Sequence, residues 1–175
     1  MLRTTAEILF EDGLNGATFE KVAARAGSSK TTLYKWWPSP GALAFEAYSA
    51  AVEPTLAFPD TGDIERDLAA QLHAFVDLLT KRRGGPVIAQ LIGAAQTDPD
   101  LAAAFTRSYV RPRRRLAMER MMTARDAGQI RADVDLEVVV DQLWGACYHR
   151  LLLPAEPLDA AFADALVSNT LRGIQ

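Results

Sequence analysis

Ser28-Ser29-Lys30-Thr31-Thr32-Leu33-Tyr34-Lys35 is the stretch of this 175-residue chain whose side chains best fit a chemical task. Short hydroxyl and cationic side chains at the start of a helix can enter the major groove of duplex DNA. There the base edges offer a distinct set of donors and acceptors. Leu33 is the residue to turn inward. Between Lys21 and Phe45 there is no acid, and the window holds Lys21, Arg25, Lys30 and Lys35. Such a positive face suits phosphate contacts, which give affinity without sequence information. Helix starts at Thr18, Ser29 and Ser39 would add backbone N–H groups able to hold phosphate oxygens.

Other chemistries find less support. A single cysteine, Cys147, excludes an internal disulfide, and a zinc site would need other ligands. Cys147 and His149 are two residues apart, so they point to different faces of a helix and make a poor metal pair. His73 is alone on its helix. Cys147 lies in an apolar stripe, which makes it a weak redox sensor. No nucleophile elbow, phosphate loop or dinucleotide fingerprint is present, so neither an enzyme nor a cofactor is expected. No apolar run approaches the roughly 20 residues that span a bilayer. The N-terminus lacks the apolar core of a signal peptide. A reducing, cytoplasmic setting and no membrane partner are the expectations.

The elements that must position these side chains are helices. Phe19, Val22, Ala23 and Ala26 fall on one face, as do Ile64, Leu68, Leu72, Phe75, Val76 and Leu79. Leu136, Val140, Leu143 and Cys147 repeat the pattern, and Leu158, Phe162 and Leu166 do so again. No run alternates apolar with polar, so strands are not expected. Gly13 to Gly16 ends a first helix. Thr18 caps a second, though Lys21 in place of an acid rules out a capping box. Gly27 supplies the turn to a third, and Pro38-Ser39-Pro40 separates that from a fourth. Gly84-Gly85-Pro86, Asp98-Pro99, Gly128 to Asp135 and Pro154 to Pro157 punctuate the rest. The total is about nine helices in an all-α chain. Pro112, inside residues 99–127, should kink its helix.

Helices two and three with their glycine turn match a helix-turn-helix. Beyond that, residues 1–43 resemble the DNA-binding domain of the tetracycline-repressor (TetR) family of bacterial transcriptional regulators. The resemblance is carried by Gly13, Thr18 to Gly27, Ser29-Lys30, Thr32-Leu33-Tyr34 and Trp37-Pro38-Ser39. It implies a helix-turn-helix domain over residues 1–45 and a helical ligand-binding and dimerisation domain over 46–175. It implies further that Thr18, Ser29, Lys30, Thr31, Thr32, Tyr34, Lys35 and Trp36 face DNA. Tyr34 would bond a phosphate, Lys30 to Thr32 would lie nearest base edges, and Trp37 would pack in the core. Three positions depart from the pattern. Ser28 replaces a common apolar residue, Pro40 replaces a lysine, and the basic arm that usually precedes the first helix is not in the sequence. They keep open a second reading, a helical small-molecule-binding or interaction protein with weakened DNA contacts.

The function implied is a repressor released from a palindromic operator by a small molecule. It would be a homodimer, since one helix-turn-helix reads one half-site and successive major grooves on one face lie about 34 Å apart. The broad apolar face of Leu136 to Leu153, with Ala160, Ala161 and Ala165 allowing close approach, points to the last two helices as the dimer contact. Phe75, Leu79, Leu91, Phe105, Tyr109, Met118, Trp144, Cys147 and Tyr148 are candidate lining for a small hydrophobic or amphipathic ligand, with Gln90 as a further polar tip. Most could equally be core. Arg111, Arg113, Arg114 and Arg115 read as a solvated row, one of which could turn inward to meet an anionic ligand.

The net charge of −3 looks unfavourable for a DNA binder until it is divided. Residues 1–50 carry five basic and five acidic side chains, and the other 125 carry 14 and 17. Bulk electrostatic coating of DNA is excluded, and a focused contact is not.

Overall fold

Each predicted cap forms its hydrogen bond. Thr18 Oγ1 accepts from the Lys21 N–H (3.2 Å), Ser29 Oγ from Thr32 (3.1 Å) and Ser39 Oγ from Ala42 (3.2 Å). These bonds satisfy N–H groups that a helix start leaves open, and they fix where three of the first four helices begin. In a computed structural model describing residues 1–81 and 83–174, α1 is Leu2–Asp12, α2 Phe19–Ala26, α3 Lys30–Trp36 and α4 Pro40–Val52. Pro40 sits in the first turn of α4, where its missing N–H costs nothing and its fixed φ helps. Its presence in place of the family's lysine thus has a structural reason. Gly27, at φ 63°, ends α2 in the left-handed region, and the Ser28 N–H reaches back to the Ala23 carbonyl (2.9 Å).

The later helices are α5 (Ile64–Thr80), α6 (Gly84–Ala95), α7 (Pro99–Phe105), α8 (Arg111–Asp126), α9 (Leu136–Leu152) and α10 (Ala160–Ile174). A π turn, Thr106–Val110, joins α7 to α8. Counting Pro99 to Asp126 as one interrupted helix gives nine among the described residues, with no strand. The π turn lies directly ahead of Pro112, which has no N–H to give to the carbonyl of Ser108 four residues back. The Ser49 hydroxyl donates to that carbonyl instead (2.5 Å).

The described residues divide into two compact units. The first comprises residues 1–54 and 83–112, the second 55–81 and 113–174. In the first, α1 packs on α4, and α6 and α7 complete a core around Leu9, Leu43, Phe45, Tyr48 and Ile88. In the second, α5 packs against α9 and α10. All six residues of the predicted α5 stripe are buried, as are Leu136, Val140, Leu143 and Cys147 of α9. α10 corrects the sequence reading. Its buried face runs through Ala163, Val167 and Leu171, leaving Leu158, Phe162 and Leu166 half-buried. Asp159 accepts from the Phe162 N–H (2.9 Å), which sets the helix start.

Candidate nucleic-acid interface

α3 is seven residues long and buries one side chain, Leu33. The turn and the caps orient it so that Leu33 meets the core while its other side chains stay outside. Thr18, Ser29, Lys30, Thr31, Thr32, Tyr34, Lys35 and Trp36 are all exposed, Tyr34 by 62% and Trp36 by 67%. Exposed aromatic side chains of that size on a helix flanked by cations have few bland uses. Tyr34 is braced edge-on by Phe19, with ring centres 4.7 Å apart. The Lys35 ammonium lies 5.9 Å from the Trp36 ring centre, within cation–π range. Ser29 and Thr32 hydroxyls are 2.9 Å apart, so the cap also sets the Thr32 rotamer. Trp37 is half-buried and donates from Nε1 to Glu46 Oε2 (2.6 Å), a packing position.

The charge of this face differs from the sequence expectation. Lys21 pairs with Asp12 (2.7 Å), Arg25 with Glu11 (2.5 Å) and Glu7 (3.7 Å), and Lys30 with Glu20 (2.8 Å). The acid-free window is acid-free in sequence only. α1 lays its carboxylates beside α2, and Glu20 on α2 reaches the first residue of α3. Hydrogen bonding to Arg25 holds the Glu11 carboxyl below its usual range, and Lys30 does the same for Glu20. Among the described residues, Lys35 is the one cation of the four without an ion pair. These partners were missed because each acid lies nine or more residues from its cation, beyond any spacing rule along one helix.

This geometry is a helix-turn-helix presenting hydroxyl, aromatic and cationic groups from a short second helix. Residues 1–47 match the family model described as bacterial regulatory proteins, tetR family, and residues 58–170 match that of a tetracyclin repressor-like C-terminal domain. The chain belongs to the tetracycline-repressor family. It is a DNA-binding transcriptional regulator of that family, and the resemblance seen in Thr18 to Gly27 and around Tyr34 is confirmed. It is 32% identical to the helix-turn-helix transcriptional regulator YdeS of Bacillus subtilis, over all of this chain and 88% of that protein. It is 30% identical to the DNA-binding transcriptional repressor TetR of Mycobacteroides abscessus, over 98% of this chain and 90% of the other. The crystal structure of the TetR family transcription regulator SCO0332 superposes with a TM-score of 0.93 at 58% identity, covering 99% of this chain and 96% of that one.

The ligand-lining candidates fall in two groups. Leu91, Phe105 and Tyr109 belong to the first unit. There Phe105 stacks on Tyr109 (5.5 Å) and meets Phe45 (4.7 Å), and Tyr109 meets Tyr48 (5.7 Å). Phe75, Leu79, Met118, Trp144, Cys147 and Tyr148 belong to the second. Phe75 and Tyr148 meet edge-on at 5.4 Å, and Trp144 faces Phe58 at 6.2 Å. Met118, Trp144 and Tyr148 are half-buried, and Phe75, Leu79 and Cys147 are fully packed. Gln90 is engaged elsewhere. Its Oε1 accepts from the Leu14 N–H (2.8 Å), so it braces the turn ahead of α2. In the arginine row, Arg114 pairs with Glu137 and Asp141, Arg113 donates to the Leu56 carbonyl (3.2 Å), and Arg115 pairs with Glu119 (2.8 Å). His73 Nε2 lies 2.7 Å from Asp164 Oδ1.

Burial pushes the Cys147 thiol up to about 12. The thiolate is the reactive form, so native protein at pH 7.5 should give almost no reaction with a chromogenic disulfide reagent over an hour. One equivalent should react within minutes in denaturant. Fast labelling of the folded protein would show that α9 opens.

Among the described residues no group of three or more His, Cys, Asp or Glu could hold a metal ion, and no helix is long and apolar enough to cross a membrane.

Proposed function

We propose that the protein is a homodimeric, cytoplasmic repressor without enzymatic activity, released from a palindromic operator by a small hydrophobic or amphipathic molecule. Residues 1–45 do the DNA reading in this proposal, and residues 46–175 the pairing and sensing. The observation that carries it is the outer surface of α9 and α10. Val138, Leu152 and Leu153 are exposed by 49%, 42% and 61%, and Ala160, Ala161 and Ala165 are exposed beside the half-buried Phe162 and Leu166. Apolar and small side chains together on two packed helices suit close approach of a second copy.

The amphipathic character of the ligand is supported by α5. Gln71 lies one turn before Phe75, is 5% exposed, and donates from Nε2 to the Leu56 carbonyl (2.7 Å). Its buried Oε1 has no hydrogen-bond donor among the described residues. A ligand hydroxyl arriving among Phe75, Met118, Trp144 and Tyr148 would supply one.

The test uses a duplex selected from a randomised pool by the wild-type protein. Sedimentation should give a dimer at micromolar concentration and two protomers per selected duplex. Tyr34→Ala and Lys30→Ala should each weaken that binding by about tenfold or more, as expected for loss of a phosphate and a base contact. A monomer in solution, or affinity unchanged in both variants, sinks the reading.

A further inference from the structure

Lys30 has two competing uses. It is the first residue of the DNA-facing helix, and its ammonium is held 2.8 Å from the Glu20 carboxylate. Both side chains are solvated, with 53% and 65% of their surfaces exposed. A pair of that kind adds little to stability. The α2–α3 junction also has other supports in buried Leu33, Phe19 and Val22, the Ser29 cap and the Gly27 turn. The pair's main consequence is therefore electrostatic, and it falls on the surface that meets DNA.

We propose that Glu20 is a specificity-determining residue: it keeps Lys30 on the protein unless a matching duplex offers a better partner, and so suppresses binding to arbitrary DNA. Affinity for arbitrary DNA rests on phosphate neutralisation, about one released counterion per contact. Removing one cation from each head weakens that affinity directly. The carboxylate adds repulsion toward any phosphate at the same place. A matching site gains base contacts from Ser29, Thr31 and Thr32 that do not depend on charge, so it bears the cost of freeing Lys30. Discrimination arises from penalising the wrong partner as well as rewarding the right one. The same logic runs through the rest of the head. Asp12 takes Lys21, and Glu11 takes Arg25. Lys35 is left as the unpaired cation of the window among the described residues.

The experiment compares wild type, Glu20→Gln, Lys30→Ala and the double variant. The probes are the selected duplex and a scrambled duplex of equal length, each titrated from about 50 to 200 mM salt. Glu20→Gln should bind the scrambled duplex about tenfold tighter. On the selected duplex it should change affinity by no more than about threefold. Its log K against log salt slope on scrambled DNA should steepen by about 1 to 2 for a dimer. In the Lys30→Ala background the Glu20 change should tighten scrambled binding by less than about threefold, the part due to direct carboxylate repulsion, which identifies Lys30 as the main group through which it acts. The thermal midpoint should stay within about 2 °C, since the pair is solvated. Four results overturn the proposal. Equal tightening on both duplexes would show charge without discrimination. Weakened binding to the selected duplex would make Glu20 itself a DNA contact. Unchanged binding would leave the pair without a role. A full effect surviving in the double variant would exclude Lys30. A wild-type protein that does not prefer the selected duplex would overturn this proposal and the DNA-reading assignment together, and is distinguished because it is measured before any variant.

Discussion

Arg120→Met is expected to destabilise the second unit by about 3–5 kcal/mol, the range for removing one partner of a buried ion pair. Asp67 on α5 has no exposed surface, and Arg120 on α8 is 6% exposed. Arg120 Nε donates to Asp67 Oδ2 (2.6 Å), and the Thr61 hydroxyl (2.7 Å) and N–H (3.1 Å) donate to the same carboxylate. Methionine would leave a buried carboxylate with the Thr61 donors alone. The doubly apolar Asp67→Leu/Arg120→Met should recover most of the loss, because replacing both partners leaves no orphaned charge.

The pH dependence carries its own sign. Burial alone would raise the Asp67 proton affinity. The Thr61 and Arg120 hydrogen bonds outweigh it, and the carboxyl is held below its ordinary value. The unfolded chain therefore takes up this proton first. Stability from Asp67 is complete above about pH 4 and is lost as pH falls through the depressed folded value. Asp67→Asn should flatten that acid limb while lowering stability at pH 7. In Arg120→Met the burial effect is opposed by the Thr61 hydrogen bonds alone, so its penalty should shrink on acidification as the carboxyl protonates. Urea unfolding at pH 7.5, at pH 4.5 and at about pH 3, inside the window where the Asp67 contribution is lost, followed by Trp144 fluorescence with Trp36 and Trp37 changed to phenylalanine, reads both. A penalty below about 1 kcal/mol at pH 7.5 would show the pair to be solvated.

The difference between what was legible and what was not is visible in these side chains. Periodicity and capping are local, so Thr18, Ser29, Ser39 and the α5 stripe could be read from a single strand of text. Gly27 could be read as well, because a left-handed turn leaves few residue choices. Lys30 reads in the sequence as a DNA-facing cation, but its partner Glu20 sits across the turn and shows no spacing signature. Asp67 and Arg120 are 53 residues apart. In sequence they are two more polar residues on amphipathic helices, and only the fold, which brings Asp67 of α5 within hydrogen-bond reach of Arg120 of α8, makes them a pair. Gln90 looked like a pocket residue because it is polar on an apolar helix, and it braces the Gly13–Leu14 turn instead. The α10 stripe failed for a related reason. Leu158, Phe162 and Leu166 have helical spacing, but Leu158 precedes the Asp159 cap and lies outside α10, and within the helix Ala163, Val167 and Leu171 are the residues that pack inward. What remains outside is the apolar face on which the proposed second copy would seat.

Leu33→Ala is expected to abolish discrimination between the selected and scrambled duplexes. A free helix of seven residues is far below the roughly 12–15 needed for marginal stability in water. α3 holds its shape through docking, and Leu33 is its one buried side chain, with Tyr34 edge-on against Phe19 beside it. Truncating a buried leucine to alanine costs about 2–5 kcal/mol, and here the loss falls on the helix's main anchor. Lys30, Thr31 and Thr32 precede it by three, two and one positions, so their directions in the groove are set by its seat. Affinity for the selected duplex should fall by about a hundredfold or more, since every 1.4 kcal/mol is tenfold. Scrambled DNA should lose only a few-fold, because phosphate contacts need no register. Leu33→Met, close in volume, should stay within about tenfold on both. Amide hydrogen exchange provides the independent reading, with residues 30–37 exchanging faster in Leu33→Ala while α5 and α9 keep their protection. Fast exchange in α3 with undiminished discrimination would mean that DNA itself folds the helix, and that the packing against α2 contributes nothing to readout.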